Sequence, residues 1–236
     1  LEIRPTHRDD LNTMTTALAT WVHDAGRCGY CHPGDVEHRI YLEGETERPA
    51  FLWLDEHGVA GIEIAERFGR VFDVFARPDL RGTDAEVEML RAAATRGDET
   101  DAFASDATRI SALHAVGFEQ YRTWDHIRMR DLGELPERTL PDGCALSEED
   151  TAARATIWFD EVNLVGLFEP VETEESLRRR GLARAVMTEG MHCMRAAGMQ
   201  TAIVEHDITN HPAAALYESL GFTVAYETAG FRAQRS

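Results

Sequence analysis

Residues 175–185 read ESLRRRGLARA: three consecutive arginines (Arg178, Arg179, Arg180), then Gly181, then a segment with Leu182, Val186, Gly190 and Met194 at helical spacing. The segment follows a run of acids, Glu169, Glu172, Glu174 and Glu175, in a chain of formal net charge −18. A glycine turn that enters a helix is an anion site. The first four helix N–H groups have no internal partner, and the helix dipole places partial positive charge there. Gly181 and Ala183 keep bulk clear of a ligand that must touch backbone. Arginines add charge-assisted, often bidentate contacts. The turn therefore suits a pyrophosphate. The competing reading is an exposed basic start to an amphipathic helix, although arginine there opposes the dipole.

The surroundings of this turn occur twice. RVFDVFARPDLRGTDAEVEMLRAA and TDAFASDATRISALHAVGF in the first half echo VGLFEPVETEESLRRRGLARAVMTEGM and TAIVEHDITNHPAAALYESLGF in the second. Each copy reads as strand, Arg/Gly turn, helix, strand, shorter helix and Gly-Phe. The predicted strands are Val71–Phe75, Ala102–Ser105, Val165–Phe168 and Ala202–Glu205. Crossovers of this length imply parallel pairing and an α/β layer. TWDHIRMR alternates like a strand that closes the first copy. DLGELPERTLPDG, with two prolines and two glycines, reads as a linker. The expected organisation is a first domain over 1–131, a linker over 132–143 and a second domain over 144–236. CALSEEDTAAR is expected to repeat the entry EIRPTHRDDLNTM as a short strand and an acidic helix cap. Ile3 to Arg81 spans 78 residues, whereas Leu146 to Arg178 spans 32. Either the second domain is truncated or a segment near 153–156 is missing from the chain as numbered.

Arg178-x-x-Gly181-x-Ala183 resembles the Arg/Gln-x-x-Gly-x-Gly/Ala coenzyme A signature of the GNAT superfamily of N-acetyltransferases. Asn210-x-x-Ala213-x-x-x-Tyr217-x-x-x-Gly221-Phe222 resembles that superfamily's second motif, in the right order and context. With both halves, the chain resembles a tandem two-domain GNAT protein, the arrangement of mycothiol synthase-like proteins. The resemblance implies an α/β (α+β) fold of two tandem GNAT domains. Each would have a mixed, mostly antiparallel twisted sheet with a parallel central pair, flanked by helices. It also implies acetyl-coenzyme A as co-substrate and an amine of a small molecule or peptide as acceptor, with direct transfer in a ternary complex. Arg178, Arg179, Arg180, Gly181, Leu182 and Ala183 would cradle the pyrophosphate. Backbone around Val171 and Thr173 would pair with the pantetheine, and Asn210 would contact the coenzyme or a water. Tyr217 would protonate the departing thiolate. Glu169 is the first candidate base and Glu205 the second. Packing alone would also explain Tyr217, and exposed strand ends would explain both carboxylates.

The first copy departs from this pattern. Aligned on Arg81 and Arg178, Asp84 falls on Gly181 and Glu86 on Ala183; Asp106 falls on Asn210 and Leu113 on Tyr217. Carboxylates beside a pyrophosphate repel it, so the first copy is expected to be scaffold or one wall of the acceptor site.

The acidic balance argues against nucleic acid as a partner and favours a cationic acceptor through steering. All 24 basic residues are arginine, which excludes a lysine nucleophile from this chain. No run approaches the length of a membrane span, and the first residues show no apolar signal core. A cytoplasmic enzyme, monomer or homodimer, without metal is expected. Cys28-x-x-Cys31-His32 spells a haem-attachment motif and offers soft metal ligands. No fourth ligand is evident, and Pro33-Gly34 is expected to turn the chain away, leaving a loop after the first helix. A metal- or haem-binding protein is thus the third reading. The second is a coenzyme A-binding sensor without turnover.

Overall fold

The computed structural model describes residues 1–40, 49–147 and 152–234. The chain divides into two compact units: Leu1–Trp124 with Tyr226–Ser236, and Asp125–Ala225.

In the first unit, β1 (Glu2–Pro5), β2 (Ala50–Asp55), β3 (Gly58–Arg67) and β4 (Val71–Ala76) form an antiparallel run. β4 then pairs in parallel with β5 (Glu99–Phe103) at Val71↔Glu99. Helices α1 (Leu11–Ala25) and α2 (Pro33–Ile40) precede β2, α3 (Asp84–Ala93) links β4 to β5, and α4 (Ala107–Ala115) follows β5. Strand β4 is buried throughout because both faces are covered. Its alternate residues Phe72, Val74 and Ala76 pack with Met89 and Leu113 of α3 and α4. Phe75 joins Leu18, Trp21 and Val36 of α1 and α2 on the other face.

In the second unit, the order is β6 (Phe118–Asp131, from Asp125), β9 (Thr201–Asp207), β8 (Val165–Thr173), β7 (Ala153–Asp160). β8 and β9 are parallel and the other pairs antiparallel. Helix α5 (Leu182–Ala196) links β8 to β9, and α6 (His211–Ser219) leads to β10 (Thr223–Ala233). Met187, Met191 and Met194 of α5 pack on Phe168 and Val204. Gly190 is the close-approach point, since an added Cβ would lie 2.5 Å from the Phe168 ring.

Three expectations change. The boundary at 131 gives way to a division inside two long strands. Asp125–Asp131 pairs with β9, and Thr228–Arg232 pairs with β5. Alternation along a strand shows its faces but not its partner. Residues 132–143 are irregular as expected, yet Leu132 is buried in the second unit's core. Second, Ala153 onward is a strand paired with β8, Ala153 opposite Thr173, not the expected helix entry. The predicted acidic cap at 148–151 lies outside the described residues. Third, the two Arg/Gly turns differ in length by one residue. Thr83 caps α3 two positions after Arg81, whereas Gly181 caps α5 three positions after Arg178. Thr83, not Asp84, therefore holds the place of Gly181.

Gly190→Ala should lower the stability of the second unit by up to about 2 kcal/mol. Overpacking costs about 1–3 kcal/mol, partly offset by ~1 kcal/mol of helix propensity. The urea midpoint of the full chain should fall; a raised midpoint would mean that Phe168 has room to yield.

Candidate functional site

β8 and β9 hold a parallel register for four residue pairs, from Val165↔Thr201 to Phe168↔Val204. β8 then runs on to Thr173 paired with β7 alone. The change comes at a bulge. Between Ala155↔Val171 and Ile157↔Phe168, one residue of β7 opposes Glu169 and Pro170 together. Pro170 has no N–H for a ladder. Beyond the bulge a cavity of about 880 Å³ opens, entirely within the second unit. Val171 and Thr173 line its strand side.

The arginine turn forms the next wall. A 3₁₀ turn, Glu175–Leu177, is followed by extended Arg178, then Arg179 at φ 65° and Gly181 at φ 82°. A left-handed N-cap explains the glycine, because a Cβ there costs about 1 kcal/mol or more. No side chain caps α5, and the first helical bond runs from the Ala185 N–H to the Gly181 carbonyl. The N–H groups of Leu182, Ala183 and Arg184 consequently have no partner within the helix. All three residues line the cavity, with Gly181, Arg178 and Arg179. Arg180 is exposed and does not line it. Among the described residues Arg178, Arg179 and Arg180 form no ion pair; Arg178 Nε donates weakly to the Thr173 carbonyl at 3.4 Å.

Helix α6 closes the cavity with Asn210, Pro212, Ala213, Leu216 and Tyr217. Asn210 Oδ1 caps the helix by accepting the Ala213 N–H at 3.2 Å. Tyr217 is buried, with its ring against His206 (centroids 5.5 Å) and Phe222 (6.2 Å). Its hydroxyl has no hydrogen-bond partner among the described residues. Burial, then the Glu169 carboxylate, push its pKa up to about 12. The tyrosine thus keeps its proton through the neutral range.

Glu169 and Glu205 are not lining residues of this cavity. Glu169 sits at the bulge, close enough for its charge to bear on Tyr217, and its carbonyl accepts from Trp158 Nε1 at 2.7 Å. On β9, alternation sends Val204 and His206 toward α5 and α6, and Ile203 and Glu205 to the opposite face. Glu205 and Tyr217 are therefore on opposite sides of β9.

The sequence reading passed over a cluster beside Tyr217. Arg128 of β6 donates through Nε to His206 Nε2 at 2.9 Å and through its terminal nitrogen to Glu218 at 2.9 Å. His206 Nδ1 faces the Asp207 carbonyl at 2.9 Å, so the proton belongs on Nδ1. Burial holds the His206 pKa below its usual value. The signal in the sequence was period two: His206 follows Val204 onto the face that meets the second motif.

The Cys28-Cys31-His32 segment is the expected loop after the first helix. Pro33-Gly34, expected only to turn the chain away, instead opens α2, where proline is favoured as the first helical residue. His32 is buried and Cys31 half-buried, and desolvation pushes the Cys31 thiol well up. Among the described residues no group of three or more His, Cys, Asp or Glu side chains is disposed around a metal position.

Residues 109–222 match the family described as Acetyltransferase (GNAT) family. Over 65 residues the chain is 42% identical to mycothiol acetyltransferase of Corynebacterium glutamicum strain R, a match covering 28% of this chain and 20% of that protein. The chain thus spans about a fifth of the length of this relative. Among solved structures, the tandem GNAT protein from the clavulanic acid biosynthesis pathway aligns with 100% of this chain and 99% of its own, at TM-score 0.60 and 12% identity. A GCN5-related N-acetyltransferase from Sphaerobacter thermophilus aligns with 98% and 94%, at TM-score 0.57 and 13% identity. A GNAT-family acetyltransferase from Colwellia psychrerythraea aligns with 99% and 100%, at TM-score 0.60 and 10% identity. At these identities the structural likeness speaks for the fold. The family match thus falls on the second half of the chain, and the whole chain has the tandem two-domain fold of these GNAT structures.

Proposed function

We propose that this chain is an acetyl-coenzyme A-dependent N-acetyltransferase that works in its second unit by direct transfer to a primary amine. The observation that carries the proposal is one cavity bounded by an uncapped helix start, arginines without carboxylate partners among the described residues, the end of strand β8, and Tyr217. The Leu182, Ala183 and Arg184 N–H groups, with Arg178 and Arg179, match the charge of a pyrophosphate. The free side of Val171 and Thr173 offers strand-like pairing to the amide arm of the co-substrate.

In the reaction the amine nitrogen attacks the thioester carbonyl carbon, the C–S bond breaks, nitrogen gives up two protons and sulfur gains one. Glu169 takes the first from the ammonium, directly or through water, and passes it to solvent. Tyr217 gives its proton to the thiolate and is re-protonated by the second proton, which leaves nitrogen through water as the amide forms. A raised pKa suits that second role, since the tyrosine holds its proton until one is needed. Glu205 is a weaker candidate because it lies across β9 from Tyr217. The acceptor is a small-molecule or peptide amine, and the charge of −18 favours a cationic one. A cytoplasmic setting belongs to the same reading and suits four free cysteines. No helix among the described residues is long and apolar enough to cross a membrane.

Thiol release from acetyl-coenzyme A across a panel of amines tests the proposal. Coenzyme binding without release on any amine would favour the sensor reading. Gly181→Asp should weaken coenzyme binding about a hundredfold by calorimetry, since a carboxylate replaces a charge-assisted contact worth about 1.5–3 kcal/mol. Unchanged affinity would remove the turn from the site.

Tyr217→Phe should keep the coenzyme affinity, because the ring still packs, while turnover falls by about 10² to 10⁴. Near-normal turnover would reduce the tyrosine to packing. Glu169→Gln should depress the rate mainly at low pH, where the amine is charged and needs a base. At high pH free amine is supplied by solvent, and the variant should approach wild type. A uniform loss across pH would assign Glu169 to geometry instead.

A further inference from the structure

The first unit also has parted strands and a helix-entry turn, one residue shorter, but different occupants. β4 and β5 pair at Val71↔Glu99, and β4 runs on to Ala76. Counted back from Arg81 and Arg178, Val74 and Ala76 hold the places of Val171 and Thr173. In the second unit those places border an open cavity. In the first, the Arg109 guanidinium donates to the Val74 carbonyl, and the Tyr30 hydroxyl donates to the Ala76 carbonyl at 2.8 Å.

The helix entry is filled as well. Glu86, fully buried on α3, accepts the Gly82 N–H at 2.6 Å. Its other oxygen forms an ion pair with Arg109 Nε at 3.1 Å. Thr83 Oγ1 takes the Ala85 N–H. Arg81, the counterpart of Arg178, is bound to the Asp106 carboxylate and the Cys28 carbonyl, with its guanidinium over the Tyr30 ring. In the second unit neutral Asn210 stands where Asp106 stands, and Arg178 has no carboxylate partner among the described residues.

We propose that Arg109, Glu86 and Tyr30 form an internal ligand that closes the first unit's coenzyme-type cleft, with the Glu86 carboxylate in the anion's place and Arg109 and Tyr30 in that of the amide arm. The chain consequently takes one coenzyme molecule, in the second unit. That last clause rests on the function proposed above; the filling of the first cleft does not.

Hydrogen exchange of the full chain, read by mass spectrometry, separates the two. With coenzyme A, peptides over 171–183 should slow several-fold and those over 74–86 should not change. Slowing over 74–86 overturns the proposal. The second arm needs no coenzyme. In Glu86→Ala, peptides over 74–86 should exchange about tenfold faster, as local opening becomes easier. Sodium acetate should restore most of the protection, and sodium chloride at equal ionic strength should not. Wild-type exchange in Glu86→Ala, or equal effects of the two salts, overturns the proposal. Should Glu86→Ala not fold, Glu86→Gln, which keeps an acceptor for Gly82 but no charge for Arg109, should show the faster exchange; wild-type exchange there overturns it too. If coenzyme A slows neither region, the function proposed above fails, and the acetate arm decides the first cleft by itself.

Discussion

Two parallel strands that part leave main-chain groups without a ladder partner, and the fold must supply one. Buried backbone N–H and C=O groups cost about 1–3 kcal/mol each when orphaned. In the second unit the parting follows Phe168↔Val204, and the bulge at Glu169 and Pro170 lets β8 stay with β7 while leaving β9. The helix after β8 starts at the same opening with uncapped donors. Strand end and helix start therefore present unmet hydrogen-bonding capacity to one cavity, whose other wall is Tyr217. Packing keeps this geometry in place: Gly190 lets α5 lie against Phe168, and Arg184 reaches Ser219 to tie the start of α5 to the end of α6.

The same demand is met differently in the first unit. A buried ion pair seldom improves stability over apolar packing, because two charges must leave water. Here the pair also satisfies main-chain groups that apolar side chains could not: the Val74 carbonyl through Arg109 and the Gly82 N–H through Glu86. A cleft of this type cannot simply be filled with leucine, and that is a physical reason for finding charge inside it. Asp73, Arg39 and Arg67 extend the ionic interior on the neighbouring face of β4.

What was legible in the sequence was what local backbone geometry demands. The glycine turn into a helix at Gly181 and the apolar strands either side of each turn follow from short-range rules, whereas the capping roles of Asn210 and Asp106 went unread. The family motifs added order and spacing. Less legible was anything set by partners far along the chain. Period two in TWDHIRMR marked a strand, but its pairing with β9 is long-range. Glu86 looked like a repulsive group at an anion site, because Arg109 lies in another motif and its approach is tertiary. The one-residue difference between the turns was hidden, since an alignment on arginine cannot register where a helix begins.

Charge makes the last connection. The chain carries 42 acids against 24 arginines, and many arginines are held by carboxylates: Arg39 by Asp35, Arg70 by Asp98, Arg77 by Asp55, Arg96 by Glu63. With acids in such excess, an arginine that avoids them must be kept apart by structure. Among the described residues, the turn at 178–180 does this. Glu172 is engaged by Arg154 across β7, and Glu174 accepts from Ser176. Left-handed Arg179 carries the chain on to Gly181 and the start of α5. A guanidinium already bound to a carboxylate would have to break that bond to receive a phosphate, at a cost comparable to the gain. Arg81 is in that position, and among the described residues Arg178 is not. The difference between an arginine held by a carboxylate and one left apart is thus written less in the arginine than in the residue at the next helix cap, Asp106 in one copy and Asn210 in the other.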